Sequence, residues 1–178
     1  LDLARARQRE LGLQNITWRA GDVLPLPFRD GEFSIVVSRF AFHHFLDPGA
    51  VLREMIRVTR EGGTVAVADS APALEKADAF NAMERLRDPS HVRAMPPGEL
   101  LALMIDAGLP APRVTTYRLE GELEGLLARS FPKSEDVPEL RRMFAASVID
   151  DSLDVAAHRD GPTIRYKYPV AILVSRKP

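Results

Sequence analysis

Phe33-Ser34-Ile35-Val36-Val37-Ser38, Asp47-Pro48 and Thr64-Val65-Ala66-Val67-Ala68-Asp69 are the stretches that decide the fold. The first is a nearly continuous apolar run, the pattern of a central parallel strand covered on both faces. Asp47-Pro48 supplies a helix N-cap followed by proline at the first helical position. Val51, Leu52, Met55, Ile56 and Thr59 then fall on one helical face, with Arg53, Glu54 and Arg57 turned outward. Glu61-Gly62-Gly63 stops the helix, and the third stretch reads as a second buried strand that ends in an acid. Strand, helix and strand joined by short loops make a βαβ unit, whose crossover is right-handed as a rule.

Upstream, Leu1–Leu11 has apolar residues at helical spacing and ends at Gly12, a good left-handed stop. Asn15–Ala20 is β-branched and aromatic and is expected as a short strand. Val23–Phe28 carries two prolines and reads as extended chain outside a sheet interior. Downstream, helical patterns cover Leu74–Leu86, Pro97–Ala107, Glu122–Phe131 and Glu139–Ile149. Strand patterns cover Arg113–Leu119 and Ile164–Arg176, with Pro169 placing the first half of the latter at a sheet edge. No repeat, low-complexity tract or evident domain boundary interrupts this series, so residues 1–178 read as one α/β unit.

The 178 residues are 46% hydrophobic and 28% charged, which suits one soluble globular domain. Lys plus Arg number 24 and Asp plus Glu 25, a formal net charge of −1, which argues against a broadly basic nucleic-acid-binding surface. With no cysteine, disulfide scaffolds, Cys-ligated zinc, iron–sulfur clusters and thiol nucleophiles are excluded. No apolar run approaches the roughly 18 residues of a membrane span. The expected location is cytoplasmic.

The order Gly21-Asp22-Val23-Leu24-Pro25-Leu26-Pro27-Phe28, Phe33–Ser38, Phe42-His43-His44-Phe45-Leu46-Asp47-Pro48, Gly62-Gly63-Thr64-Val65 and Arg87-Asp88-Pro89-Ser90-His91-Val92-Arg93 resembles the class I S-adenosylmethionine-dependent methyltransferases. The likeness is to their ubiquinone/menaquinone-biosynthesis-like small-molecule branch. Taken as four segments, Gly21–Ser38, Phe42–Pro48, Leu52…Glu54…Arg57-Val58 with Gly62–Val65, and Arg87–Arg93, these stretches fall in register over residues 1–110; residues 111–178 match in layout only. The resemblance implies an α/β, Rossmann-like, doubly wound and mostly parallel sheet with an antiparallel last strand. It also implies that the family's first two strands, with the glycine-rich loop and the ribose-binding acid, would precede Leu1. They are missing from this stretch, which is therefore expected to be an N-terminally incomplete domain and, taken alone, a poor binder of S-adenosylmethionine and inactive.

Residue by residue, the resemblance gives Asp22 the adenine amino group, the Val23 N–H a ring nitrogen and Leu24 the ring face. Adenine presents a donor beside an acceptor, so its site needs an acceptor beside a donor. The plainer reading of Gly21-Asp22 is a turn at a strand end. Ser38 and Arg39 follow the central strand at the ligand edge of an open α/β sheet, where a backbone carbonyl would meet the cofactor's amino group; Arg39 reads equally as a solvent-facing residue. His43, His44 and His91 are the candidate catalytic or substrate-lining residues. Each is either a proton acceptor or a shaper of its loop. A His-His pair without a third ligand is a poor metal chelate, and no metal is expected. Asp69 either orients a polar group or caps the segment after it. Tyr166 and Tyr168 read as sheet-face residues.

The function implied is methyl transfer to a small-molecule acceptor by in-line displacement, with a base needed only where the acceptor must lose a proton. Methionines in the covering segments fit a hydrophobic acceptor or ordinary core filling. A homodimer is compatible with the sequence. The competing reading is a catalytically inactive, truncated methyltransferase-like scaffold. A nicotinamide dehydrogenase is disfavoured by the position of Gly21-Asp22-Val23 and the antiparallel last strand.

Overall fold

The computed structural model describes residues 1–178. In chain order its elements are α1 (Asp2–Glu10), β1 (Phe33–Arg39), α2 (Pro48–Val58), β2 (Thr59–Ser70), α3 (Ala77–Arg87), α4 (Pro97–Asp106), β3 (Arg113–Glu122), α5 (Leu123–Ala128), α6 (Val137–Asp150), β4 (His158–Asp160) and β5 (Thr163–Arg176). The sheet order is β1-β2-β5-β3, with β4 also on β5. It is a mixed, Rossmann-like α/β sheet. β1 and β2 run parallel, and the last strand, β5, is antiparallel to β2, β3 and β4.

The βαβ unit forms for the local reasons its sequence gives. The Asp47 carboxylate accepts the Ala50 N–H at 2.8 Å, with Pro48 in the first turn. Val51, Leu52, Met55 and Val58 make the buried face of α2. At its end the Thr59 hydroxyl donates to the Met55 carbonyl at 2.7 Å. Register then jumps from Phe33 opposite Thr59 to Ile35 opposite Thr64, and Gly63 lies in the bulge where a Cβ would meet the Arg60 carbonyl at 2.8 Å.

Two cores of 13 buried residues each flank the sheet. One packs α2 and α4 on Val65, Val67, Ala171 and Leu173. The other packs α3, α5 and α6 on Tyr166 and Tyr168. Strand alternation puts these two tyrosines on the opposite face from Ala171 and Leu173.

Three expectations are corrected. Asn15–Ala20 is not a strand: no strand lies beside it, and an extended segment is stable only when its backbone groups are paired. It is held instead by side chains, with the Trp18 indole N–H and the Gln8 side chain bridging it to α1. Within residues 1–178, β1 is covered on one face. Val36 packs on the α2 side, whereas Ile35 and Val37 are 61% and 60% exposed on the other, and β1 has only one strand neighbour. The third concerns Pro169 and is a correction in part: β4 pairs with residues 163–165 and β2 with residues 170–176 on one side of β5, so the edge expected for the first half of the strand is confined to residues 166–169, which pair with β3 alone. Pro169 sits one residue past the point where β2 stops pairing with β5, so its missing N–H breaks no ladder. The Pro169 carbonyl accepts the Ala71 N–H at 3.0 Å on that same side.

Candidate active site

β1 and β2 end together, and the chain leaving β1 turns at Phe40 (φ 50°) into a single 3₁₀ turn, Phe42–His44. Asp69, near the end of β2, organises this turn. Its buried carboxylate accepts the Ala41 N–H at 3.1 Å, the Phe42 N–H at 2.7 Å and the Ser70 N–H at 2.7 Å, and it takes His43 Nδ1 as a fourth partner. A carboxylate accepts only, so Nδ1 is the donor of this contact and Nε2 is the ring nitrogen left without a protein partner.

The same dipeptide is tied to the connection between α3 and α4. The His43 carbonyl accepts the Val92 and Arg93 N–H groups at 2.8 and 3.0 Å. His44 Nδ1 donates to the Ser90 carbonyl at 3.0 Å. His91 donates from Nε2 to Asn81 Oδ1 at 2.7 Å; that oxygen also accepts the Ala94 N–H, and the Asn81 amide donates to Ala77 and Ala94 carbonyls. His91 Nδ1 is buried with no partner. Burial holds the His91 pKa down to about 4, with Glu84 opposing and His43 and His44 adding to the depression. The neutral ring thus keeps a lone pair facing no donor.

All three candidate histidines are brought together. Ring centroids are 4.2 Å apart for His43 and His44, 5.4 Å for His43 and His91, and 6.4 Å for His44 and His91. They do not play one role. His43 and His44 line a cavity of about 440 Å³, whereas His91 lies behind them. The cavity's other walls include Tyr166 and Tyr168 of β5, Glu84 and Arg87 of α3, and Arg129 just after α5. The tyrosines are therefore more than sheet-face residues.

Glu84 is buried and accepts the Tyr168 hydroxyl at 2.7 Å and both Arg87 Nε and Nη2, at 2.8 and 2.7 Å. Burial, followed by the charge of Glu84, raises the Tyr168 phenol well above its ordinary range. Sequence reasoning misses the parts played here by Glu84, Arg87 and Arg129. The only local signal is the i,i+3 spacing of Glu84 and Arg87, which any solvated helix face shares.

A second cavity, about 380 Å³, is lined by Asp22, Val23, Leu24, Phe45, Leu46 and His44, among others. His44 is common to both. Asp22 takes no hydrogen bond from the protein, and the Val23 N–H finds no protein acceptor. An acceptor thus stands beside a donor next to an apolar wall, the complement of an adenine edge, so the residues present fit the adenine end of S-adenosylmethionine. Ser38 and Arg39 end β1 but line neither of these cavities. The Arg39 guanidinium lies over the Phe40 ring, 4.5 Å from its centroid. The loop bearing Asp22 is held on α2 by Arg57, which donates to the Leu26 and Phe28 carbonyls and pairs with Glu54 and Asp30.

Residues 1–67 match the methyltransferase domain family. The uncharacterized protein YafE of Escherichia coli is 41% identical over 128 residues, 71% of this chain and 60% of that protein. A demethylmenaquinone methyltransferase of Roseiflexus castenholzii is 31% identical over 141 residues, 68% of this chain and 58% of that protein. The uncharacterized methyltransferase YcgJ of Bacillus subtilis is 39% identical over 95 residues, 52% of this chain and 38% of that protein. Its crystal structure shares the fold with a TM-score of 0.85 at 24% identity, over 99% of this chain and 77% of that one. The chain spans 38 to 60% of the length of these curated relatives. The methyltransferase domain over residues 1–67, the methyltransferase relatives and the shared fold support a place for the chain among the class I S-adenosylmethionine-dependent methyltransferases. No helix is long and apolar enough to cross a membrane.

Proposed function

We propose that the protein transfers a methyl group from S-adenosylmethionine to a small molecule held in the 440 Å³ cavity, with His43 as the base. The observation that carries this reading is His44, which lines both the acceptor cavity and the cavity of Asp22, Val23 and Leu24. Cofactor and acceptor would meet on either side of one imidazole. When bound, the cofactor supplies a sulfonium-activated methyl group, so the chain's own task is alignment and proton removal. Asp22 accepts from the adenine amino group, the Val23 N–H donates to the ring, and Leu24 covers its face. The backbone at Ser38 and Arg39 is assigned to the cofactor's amino group by the family resemblance alone.

Asp69 fixes the His43 ring and its tautomer, leaving Nε2 to take a proton from a hydroxyl or acidic carbon. His91 has its Nε2 committed to Asn81 and serves as a support for the other two rings. Phe40, Leu119 and Leu126 give the cavity an apolar side. With a menaquinone-type relative at 31% identity, this favours an acceptor with an apolar, ring-like body. The complete reaction belongs to the protein as encoded in its gene, in the cytoplasm.

Calorimetric titration of that protein with S-adenosylhomocysteine is the test. Binding is expected, weakened about tenfold in Asp22→Asn for the loss of one hydrogen bond to a charged acceptor. No heat at millimolar ligand would sink the proposal and leave the scaffold reading standing.

A further inference from the structure

We infer that the acceptor carries a carboxylate, held by Arg129 and Tyr166 on the wall of the same cavity; this rests on the acceptor-cavity reading above. Two arginines line that cavity, and they differ. Arg87 is neutralised by the bidentate carboxylate of Glu84, and its Nη1 donates to the Ser130 hydroxyl. Arg129 is in no ion pair. Its one side-chain hydrogen bond is Nη2 donating to the Tyr166 hydroxyl at 2.9 Å. The carboxylates lining the cavity are otherwise engaged: Glu84 by Arg87, Glu120 by Lys167 at 2.9 Å, and Asp88 by the Ser90 N–H and hydroxyl.

Tyr166 completes the pair. It is 3% exposed, and its oxygen accepts from Arg129 while its own O–H has no acceptor in the protein. By contrast the neighbouring Tyr168 O–H is spent on Glu84. A guanidinium and a phenol hydrogen, both without an anionic partner, thus meet at one wall. Such a set of donors matches the two oxygens of a carboxylate. The backbone is shaped for it. Gly121 stands opposite Tyr166 in the β3–β5 pairing, and a Cβ there would meet the tyrosine ring and hydroxyl at 2.3 Å. Glycine at this position lets the ring lie across β3 with its hydroxyl at Arg129. The substrate class is therefore a small acid with an apolar, ring-like body, its carboxylate on Arg129 and its nucleophilic group toward His43.

Benzoate and its neutral isostere benzamide serve as ligands, titrated into the protein as encoded in its gene. Benzoate is expected to bind about tenfold tighter than benzamide, as one charge-assisted pair implies. Arg129→Gln should abolish that preference, and Tyr166→Phe should reduce it about threefold. Arg129 is an exposed cap residue, so its variant keeps the test open if Tyr166→Phe does not fold. Gly121→Ala should weaken benzoate as well by displacing the ring. S-adenosylhomocysteine affinity is measured in parallel and is expected to be unchanged in Arg129→Gln. Benzoate binding no tighter than benzamide, no binding of either, or a preference that survives Arg129→Gln overturns the carboxylate assignment while cofactor binding stands. Loss of cofactor binding in the unmodified protein overturns the underlying reading instead.

Discussion

His43 and Asp69 meet across 26 residues of sequence, the imidazole after β1 resting its Nδ1 on the carboxylate near the end of β2. The same carboxylate holds three backbone N–H groups, so it shapes the turn and orients the ring at once. Asp69→Asn keeps the size but replaces an acceptor oxygen with a donor nitrogen that faces other donors. Unsatisfied buried donors cost about 1–3 kcal/mol each. Denaturant unfolding of Asp69→Asn should show a loss in that range, with a matching loss of the His43 tautomer preference in imidazole ¹⁵N spectra. An unchanged midpoint and unchanged spectra would refute the role.

His91 makes stability depend on acid pH. Its folded pKa of about 4 lies below the ordinary value of 6.5. Between those values the unfolded chain holds a proton on this ring and the folded chain does not, so unfolding takes up a proton and acid favours it. The stabilisation is complete above pH 6.5 and is lost as pH falls toward 4, to a limit of about 3 kcal/mol. Urea unfolding at pH 7.5, 6 and 5 should show that slope, flattened in His91→Gln. Equal slopes in the two proteins would count against it.

Arg57 ties the Asp22-bearing loop to α2 through two carbonyls and two carboxylates, and the carboxylates, Glu54 before Asp30, raise its own pKa. Arg57→Ala is expected to speed amide hydrogen exchange through residues 22–31 by about tenfold or more, since local opening free energies fall when such ties are cut. Exchange in α4 should not change. S-adenosylhomocysteine should bind more weakly through a looser loop.

Gly62 and Gly63 predict an ordering. Gly62 has φ +67° but open space around its missing Cβ, so Gly62→Ala costs about 1 kcal/mol of backbone strain. Gly63 has ordinary backbone, but a Cβ would meet Thr59 Cγ2 at 2.7 Å and the Arg60 carbonyl at 2.8 Å. The carbonyl is backbone and cannot give way, so Gly63→Ala should cost about 1–3 kcal/mol. Thermal melts that reverse this order would overturn the bulge geometry.

The βαβ unit was legible in the sequence because its signals are local: Asp47-Pro48 starts α2 and its apolar stripe is helical; the expected helix stop at Glu61-Gly62-Gly63 is corrected, since α2 ends at Val58 and the glycine pair lies in the bulge of β2. The open face of β1 was not, because Ile35 and Val37 look alike whether or not something covers them. Asn15–Ala20 has strand composition, and only the absence of a neighbouring strand decides against it. In the candidate site, the His43-His44 pair and His91 were visible as residue types. Their gathering depends on bonds such as Val92 N–H to His43 carbonyl, which no spacing encodes. Glu84 with Tyr168, and Arg129 with Tyr166, meet across 84 and 37 positions, so nothing near either residue announces the contact.

The ties between His43, His44 and residues 90–93 have a bearing on how the molecule tolerates change in chain length. Hydrogen bonds from the Val92 and Arg93 N–H groups to His43, and from His44 to the Ser90 carbonyl, fix the α3–α4 connection to the histidine turn. One residue inserted there would be transmitted at once to both imidazoles. The segment between Phe131 and α6 has no comparable anchor to the turn. Arg129 stands at the near end of that segment, so the wall proposed to hold the substrate's carboxylate can be lengthened or rebuilt while the turn proposed to take its proton stays in register. On the proposed reading, insertions on one side of the cavity would change which acceptors fit, while the histidine turn on the other stays fixed.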